Sequence, residues 1–336
     1  MADPIRREML EIVEISLRDH LSLFCGRGQT TFHDMIDYHM GWNCESGENA
    51  RGKRLRPFLL LLCTAITGED WHKALPAALS LEYIHNFTLI HDDIQDNSPE
   101  RHGRATVWVT YGIPQAINAG NGLNNMAQWT LLELKSSYPS NTILSVAQIL
   151  NESVHDLING QILDIEFEDR DDVDIDEYLE MITCKTAVLI KACTQIGVIL
   201  GSSNSNLALD AANFGLNLGL AYQVLDDLLG IWGDPQKTGK PISSDLLERK
   251  KSLPIIFGLQ QKGDFAKIWR TEEMKPEIMS SCADLLEDAG AKDFCMNMAD
   301  EFTQKALTAL NKLGGHENLC WRALNSLTLE LLSRDA

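Results

Sequence analysis

The sequence predicts an all-α protein, and three observations carry that expectation. Apolar residues recur at i, i+3, i+4 and i+7 over residues 58–96, 144–168, 176–200 and 206–231, the period of a helix with one buried face. No stretch alternates apolar and polar residues as a strand ladder would. Glycine and proline cluster between the periodic windows. With 336 residues, 44% of them hydrophobic, the chain can bury a large core. No Pro/Ser-rich linker, internal repeat or low-complexity segment divides it. The nearest candidate, the acidic run Glu166–Asp176, reads as a helix end and loop. The expectation is therefore one helical domain over residues 1–336: a bundle of long helices with a ragged first helix and a helical C-terminal cap.

Charge narrows the function. A net charge of −19 argues against nucleic acid, whose phosphates need a basic face, and against an anionic membrane surface. An acidic chain can still hold an anionic substrate if a divalent metal ion sits between the two. The densest apolar run, Phe58–Ile66, is far shorter than the roughly 20 residues that span a bilayer. Residues 1–24 mix Arg6, Arg7, Glu8, Glu11 and Glu14 into helical spacing, unlike a signal peptide. Eight cysteines without a CxxC pair read as reduced core residues of a cytoplasmic protein.

The chemistry concentrates in two acidic clusters. Asp92, Asp93 and Asp96 end a long apolar window, and their spacing puts three carboxylates on one helix face. Like charges so placed repel, and Mg²⁺ shared with phosphate oxygens would relieve them. A solvated helix end is the plain alternative, and the apolar approach Tyr83–Ile90 favours a cleft instead. More than a hundred residues later, Asp226 and Asp227 follow a second apolar helix. Two such clusters on separate helices could clamp an Mg²⁺–diphosphate group from both sides. Basic groups recur beside them: Lys53, Arg54 and Arg56; Lys185; Lys240; and Arg249, Lys250 and Lys251. Lysine and arginine are the usual partners of diphosphate oxygens, although any one group taken singly could be surface charge.

Together these motifs, in this order from about Gly52 to Pro254, resemble the trans-isoprenyl diphosphate synthases, the farnesyl and geranylgeranyl diphosphate synthase family. The resemblance implies a single helical bundle around a deep cavity, usually dimeric, acting on prenyl diphosphates with Mg²⁺. It implies that Asp92, Asp93 and Asp96 hold metal against the allylic diphosphate, with Asp226 and Asp227 as the second motif and Gln223 just before it. Arg101 would bind diphosphate, and Lys185, Lys240 and Lys250 would draw off the leaving group. Lys53, Arg56 and His85 would bind isopentenyl diphosphate, while Gln161 and Asp164 would face the cavity. Phe87 and Thr88, just before the first motif, are candidates for its floor.

Three departures bear on the reaction. Arg101 is followed by His102 where the family has a second arginine, and neutral imidazole cannot replace a permanently charged fork. Gly230 stands where many members carry a third aspartate, which would weaken metal binding. Asn121, Asn124, Asn125 and Gln128 fall on a helix that is usually apolar and lines the cavity, where buried amides would be costly or would steer a carbocation. His102 and the amides tilt the expectation slightly toward a terpene-synthase-like lyase that ionises one prenyl diphosphate. Elongation with isopentenyl diphosphate is the alternative. A non-catalytic partner subunit ranks last, because all five aspartates persist.

Overall fold

The computed structural model describes residues 4–26, 30–42, 52–234, 243–271 and 274–333, so Lys240 lies outside the described residues. The chain is all-α. Its helices run α1 (Pro4–Cys25), α2 (Thr30–His39), α3 (Leu55–Ala65), α4 (Leu75–Gln95), α5 (Val107–Tyr111), α6 (Ile113–Leu131), α7 (Ser140–Glu168), α8 (Ile175–Ile182), α9 (Val188–Gly201) and α10 (Ser205–Trp232). After residue 242 follow α11 (Ser244–Leu247), α12 (Leu253–Gln260), α13 (Asp264–Thr271), α14 (Pro276–Asp288), α15 (Ala291–Lys312) and α16 (Leu319–Leu332).

Local chemistry sets the boundaries. α4, α6, α12 and α14 each carry proline at the first or second position, where a missing N–H costs nothing. α8 opens with a capping box between Asp174 and Glu177. The window 58–96 is not one helix. Thr67 Oγ1 donates to the Thr64 carbonyl (2.7 Å), and Gly68 turns left-handed at φ 88°. Asp70 then caps a short 3₁₀ turn, Trp71–Ala74, before α4 starts. The window 176–200 is interrupted by a π-turn at Thr183–Ala187. One two-residue hairpin also appears among the described residues, β1 (Glu100–Arg101) against β2 (Arg104–Ala105). Two residues per strand leave no alternation to read in a sequence. Its turn is His102-Gly103, both left-handed (φ 53° and 71°), a tight hairpin conformation.

The chain divides into two compact units. Unit 1 comprises Met1–Leu150, Gln195–Ser205 and Gly315–Ala323. Its core stacks Met9, Val13, Leu17 and Leu21 of α1 with Phe58–Leu62 of α3 and the buried face of α4. α6 lies close on α4 through Ala116, Ala119, Gly120 and Ala127, and a β-carbon on Gly120 would sit 2.3 Å from His91 Nε2. Unit 2 comprises Asn151–Thr194, Asn206–Gly314 and Leu324–Ala336. One of its clusters packs Phe167, Tyr178, Leu228 and Ile256, another Trp269, Phe265, Leu259 and Leu286.

Among the described residues, Ile175–Gly201 alone is long and apolar enough to cross a membrane, and 61% of that apolar window is buried inside the protein. The seven described cysteines are free thiols.

Candidate active site

Each unit carries one of the two acidic motifs. In unit 1, α4 ends in the first acidic motif. Asp93 is 2% exposed, and its Oδ1 accepts from Arg101 Nε at 2.8 Å, while Arg101 Nη2 lies 3.5 Å from Asp92 Oδ2. The hairpin explains this: β1 places Arg101 back over the helix that bears the aspartates. Burial pushes the Asp93 carboxyl up to about 6 despite Arg101. Its second oxygen is buried with no hydrogen-bond partner among the described residues. Asp92 is half-buried and Asp96 is exposed. An orphaned carboxyl oxygen with the Asp92 carboxylate beside it suits a hard cation such as Mg²⁺. No group of three or more metal-ligating side chains converges among the described residues.

Further back along α4 stands His85, and it forms a basic pair with α3: Arg56 Nη1 meets His85 Nε2 at 2.9 Å. The guanidinium can only donate, so that imidazole nitrogen accepts and His85 is neutral. Burial, with Arg56 beside it, holds its pKa well below the usual range. Lys53 is exposed nearby in sequence. Arg54, between Lys53 and Arg56, faces inward instead. It is 7% exposed and bonds Glu14 Oε2 and Glu82 Oε1, each at 3.0 Å. His102 occupies the exposed hairpin tip.

In unit 2, α10 carries the second motif. Asp227 is 2% exposed; its Oδ2 accepts from the Leu253 N–H (2.9 Å) and the Tyr178 hydroxyl, and its Oδ1 from Gln223 Nε2 (3.0 Å). Gln223 Oε1 in turn accepts from Thr186 Oγ1 at 2.9 Å. Asp226 remains half-buried. The π-turn aims Lys185 Nζ at Asp164 Oδ2. Gly160 permits it, since a β-carbon there would lie 2.3 Å from the Lys185 backbone nitrogen. Gln161 is buried, and its amide nitrogen has no partner among the described residues.

The basic triplet divides its labour. The Arg249 guanidinium stacks over Trp269 (4.5 Å), and the Lys251 ammonium donates to the Phe167 and Glu168 carbonyls at the end of α7. Lys250 is exposed as a residue, yet its ammonium lies among carboxylates. Desolvation there would lower its pKa, and Asp227, Asp245, Asp164 and Asp226 outweigh that and raise it.

Asp245 is the carboxylate the sequence hid. It is 5% exposed, and its carboxyl carbon lies 2.4 Å from where a β-carbon on Gly230 would be. The site of the missing third aspartate is thus filled by a carboxylate from α11. Gly230→Ala should therefore push that carboxylate or the helix aside. We expect a loss of about 1–3 kcal/mol in urea unfolding and reduced diphosphate release. A variant as stable and active as the parent would show that Asp245 is free to move.

The comparisons with known proteins decide the family. The polyprenyl synthetase family model matches residues 43–286. The chain belongs to the polyprenyl synthetase family. It is 34% identical over 291 residues to the (2E,6E)-farnesyl diphosphate synthase of Mycobacterium tuberculosis, covering 83% of this chain and 80% of that one. It is 38% identical over 282 residues to the geranylgeranyl diphosphate synthase of Sulfolobus acidocaldarius, covering 82% and 85%. The crystal structure of geranylgeranyl pyrophosphate synthetase from Pyrococcus horikoshii superposes with a TM-score of 0.89 at 27% identity, covering 98% and 97%. The chain is thus an enzyme with the all-α isoprenoid-synthase fold.

These relatives correct one expectation. They are prenyl diphosphate synthases, not terpene synthases, and the lyase reading falls. Its structural support falls too. Asn121 and Asn125 lie on the exposed face of α6, on a run of exposed positions with Ile113, Ile117 and Trp129, and Asn124 and Gln128 are only half-buried. Amides that reach solvent carry no burial cost to explain.

Proposed function

We propose that the enzyme is a trans-prenyltransferase that elongates an allylic diphosphate with isopentenyl diphosphate. One observation carries the reading. His85 and Asp92 are seven residues apart on α4, hence on one face and about 10 Å apart along the axis. One end of that face offers carboxylates and Arg101, suited to a metal-bound diphosphate, and the other offers the Arg56–His85 pair, suited to a metal-free one. Elongation needs two diphosphate anchors, whereas a lyase needs one.

Asp92 and Asp96 would hold Mg²⁺, which supplies charge stabilisation for the departing diphosphate. Arg101, oriented by Asp93, donates to diphosphate oxygens in a fixed direction. Asp226, Lys185 and Lys250 offer the same ingredients, metal-binding oxygen and phosphate-binding cation, within unit 2. The allylic C–O bond breaks with its electrons leaving on diphosphate. The double bond of isopentenyl diphosphate then forms the new C–C bond, and a proton is lost from the neighbouring carbon. The seven free cysteines suit a reducing cytoplasm. A homodimer is supported by Ile113, Ile117 and Trp129, large apolar side chains exposed on α6.

The test incubates purified protein with Mg²⁺ and an allylic diphosphate, with and without isopentenyl diphosphate. Diphosphate release should require isopentenyl diphosphate and yield a longer prenyl diphosphate, and EDTA should abolish it. Release without isopentenyl diphosphate, giving an alcohol or hydrocarbon, would overturn elongation; turnover surviving EDTA would overturn the metal assignment.

A further inference from the structure

The hairpin after the first motif sets two arginines directly opposite, Arg101 against Arg104. Like charges at paired positions repel. Arg101 is compensated by Asp93 and Asp92, but among the described residues no carboxylate pairs with Arg104. Arg104 is half-buried, and its guanidinium lies over the Tyr38 ring, 4.3 Å from the centroid. Tyr38 is itself pinned, its hydroxyl donating to the Ala105 carbonyl at 2.7 Å. The guanidinium is therefore held in place without being neutralised.

The neighbours extend this into a strip. His39 follows Tyr38, and its Nε2 meets Asn86 Oδ1 at 3.1 Å. The Asn86 amide nitrogen donates to Glu82, so Oδ1 is an acceptor and His39 Nε2 carries a hydrogen. Asn86 adjoins His85, which bonds Arg56, and Arg56 Nε is buried with no partner among the described residues. Burial, and then Arg101, Arg54 and Arg104, depress the His39 pKa to about 3. Arg104, His39, His85 and Arg56 thus gather in unit 1 with no carboxylate among the described residues bonded to any of them. A pair of guanidinium groups that the protein leaves uncompensated, with the His85 Nδ1–H beside them, is built for an anion with several oxygens. His102, at the exposed tip, takes no part in it.

Resting on the elongation reading, we infer that Arg104 binds the diphosphate of isopentenyl diphosphate and sets affinity for that substrate. The second guanidinium that His102 lacks is supplied from the opposite strand, two residues on. Tyr38 is its positioning partner.

Arg104→Gln should raise the KM for isopentenyl diphosphate at least tenfold, with the allylic KM and kcat changed less than twofold. Arg104→Lys, which keeps the charge without the fork, should recover part of the loss, and His102→Gln should change neither KM. Calorimetric binding of isopentenyl diphosphate to metal-free protein should weaken in parallel, with the melting temperature unchanged. An unaltered KM for isopentenyl diphosphate in Arg104→Gln, or an equal rise in both KM values, would overturn the assignment. A parent enzyme that never consumes isopentenyl diphosphate would overturn elongation instead, and the binding measurement would still decide whether Arg104 holds that diphosphate.

Discussion

Arg54→Met is expected to destabilise the protein by about 3–5 kcal/mol, seen as a lowered urea midpoint with an unchanged slope. Arg54 is buried between Glu14 and Glu82, 3.0 Å from each, and Glu82 is itself buried. Removing the guanidinium leaves the buried Glu82 carboxylate without its cation and facing the half-buried Glu14. The Arg54 backbone also sits left-handed at φ 45°, a conformation that costs a non-glycine residue about 1 kcal/mol and is held by these bonds. The damage should spread to function, because Glu82 accepts from Asn86, which bonds His39. Triple replacement of Glu14 by Gln, Arg54 by Met and Glu82 by Leu should recover most of the lost stability, since no charge is then stranded. A single variant within about 1 kcal/mol of the parent would mean the triad is already hydrated.

The two aspartate motifs were legible because their meaning lies in local spacing: three carboxylates on one helix face, and a second pair after another apolar helix. The long helices α7 and α10 were legible for the same reason. What spacing cannot carry is a partner from a distant segment. Gly230 looked like a lost ligand, and only the fold reveals that Asp245 fills its place. Nothing in the spacing sets Tyr178 apart, yet its hydroxyl bonds Asp227. Arg54 read as one of three phosphate-binding cations, but its neighbours in space are Glu14 and Glu82. His102 drew attention as a substitution within a motif, while Arg104, two residues on, carried no motif and drew none. The amides of α6 misled because sequence gives their period but not which side of the helix meets solvent.

Asp227→Asn should make the metal-free protein more stable at neutral pH while lowering turnover on the order of 100-fold. Burial is the largest influence on this carboxyl and raises its pKa from 3.8 to about 6; Lys250 opposes that and Asp245 adds to it. Between those two values the folded state binds the proton more tightly than the unfolded chain. The group therefore contributes stability that is complete below pH 3.8 and is lost as pH rises through about 6. Two pKa units correspond to about 3 kcal/mol lost by neutral pH. Asparagine can keep its oxygen toward the Leu253 N–H and the Tyr178 hydroxyl, and a flip of Gln223 accommodates the new amide nitrogen. The charge that burdens the fold is gone, and with it the negative field that Lys250 and a bound cation require. In EDTA, urea midpoints should favour the variant near neutral pH and converge with the parent as the pH falls toward about 4. A variant less stable than the parent at neutral pH would show that the hydrogen bonds to Asp227 outweigh the cost of burying its charge. The second motif would then be part of the folding core before it is part of the chemistry.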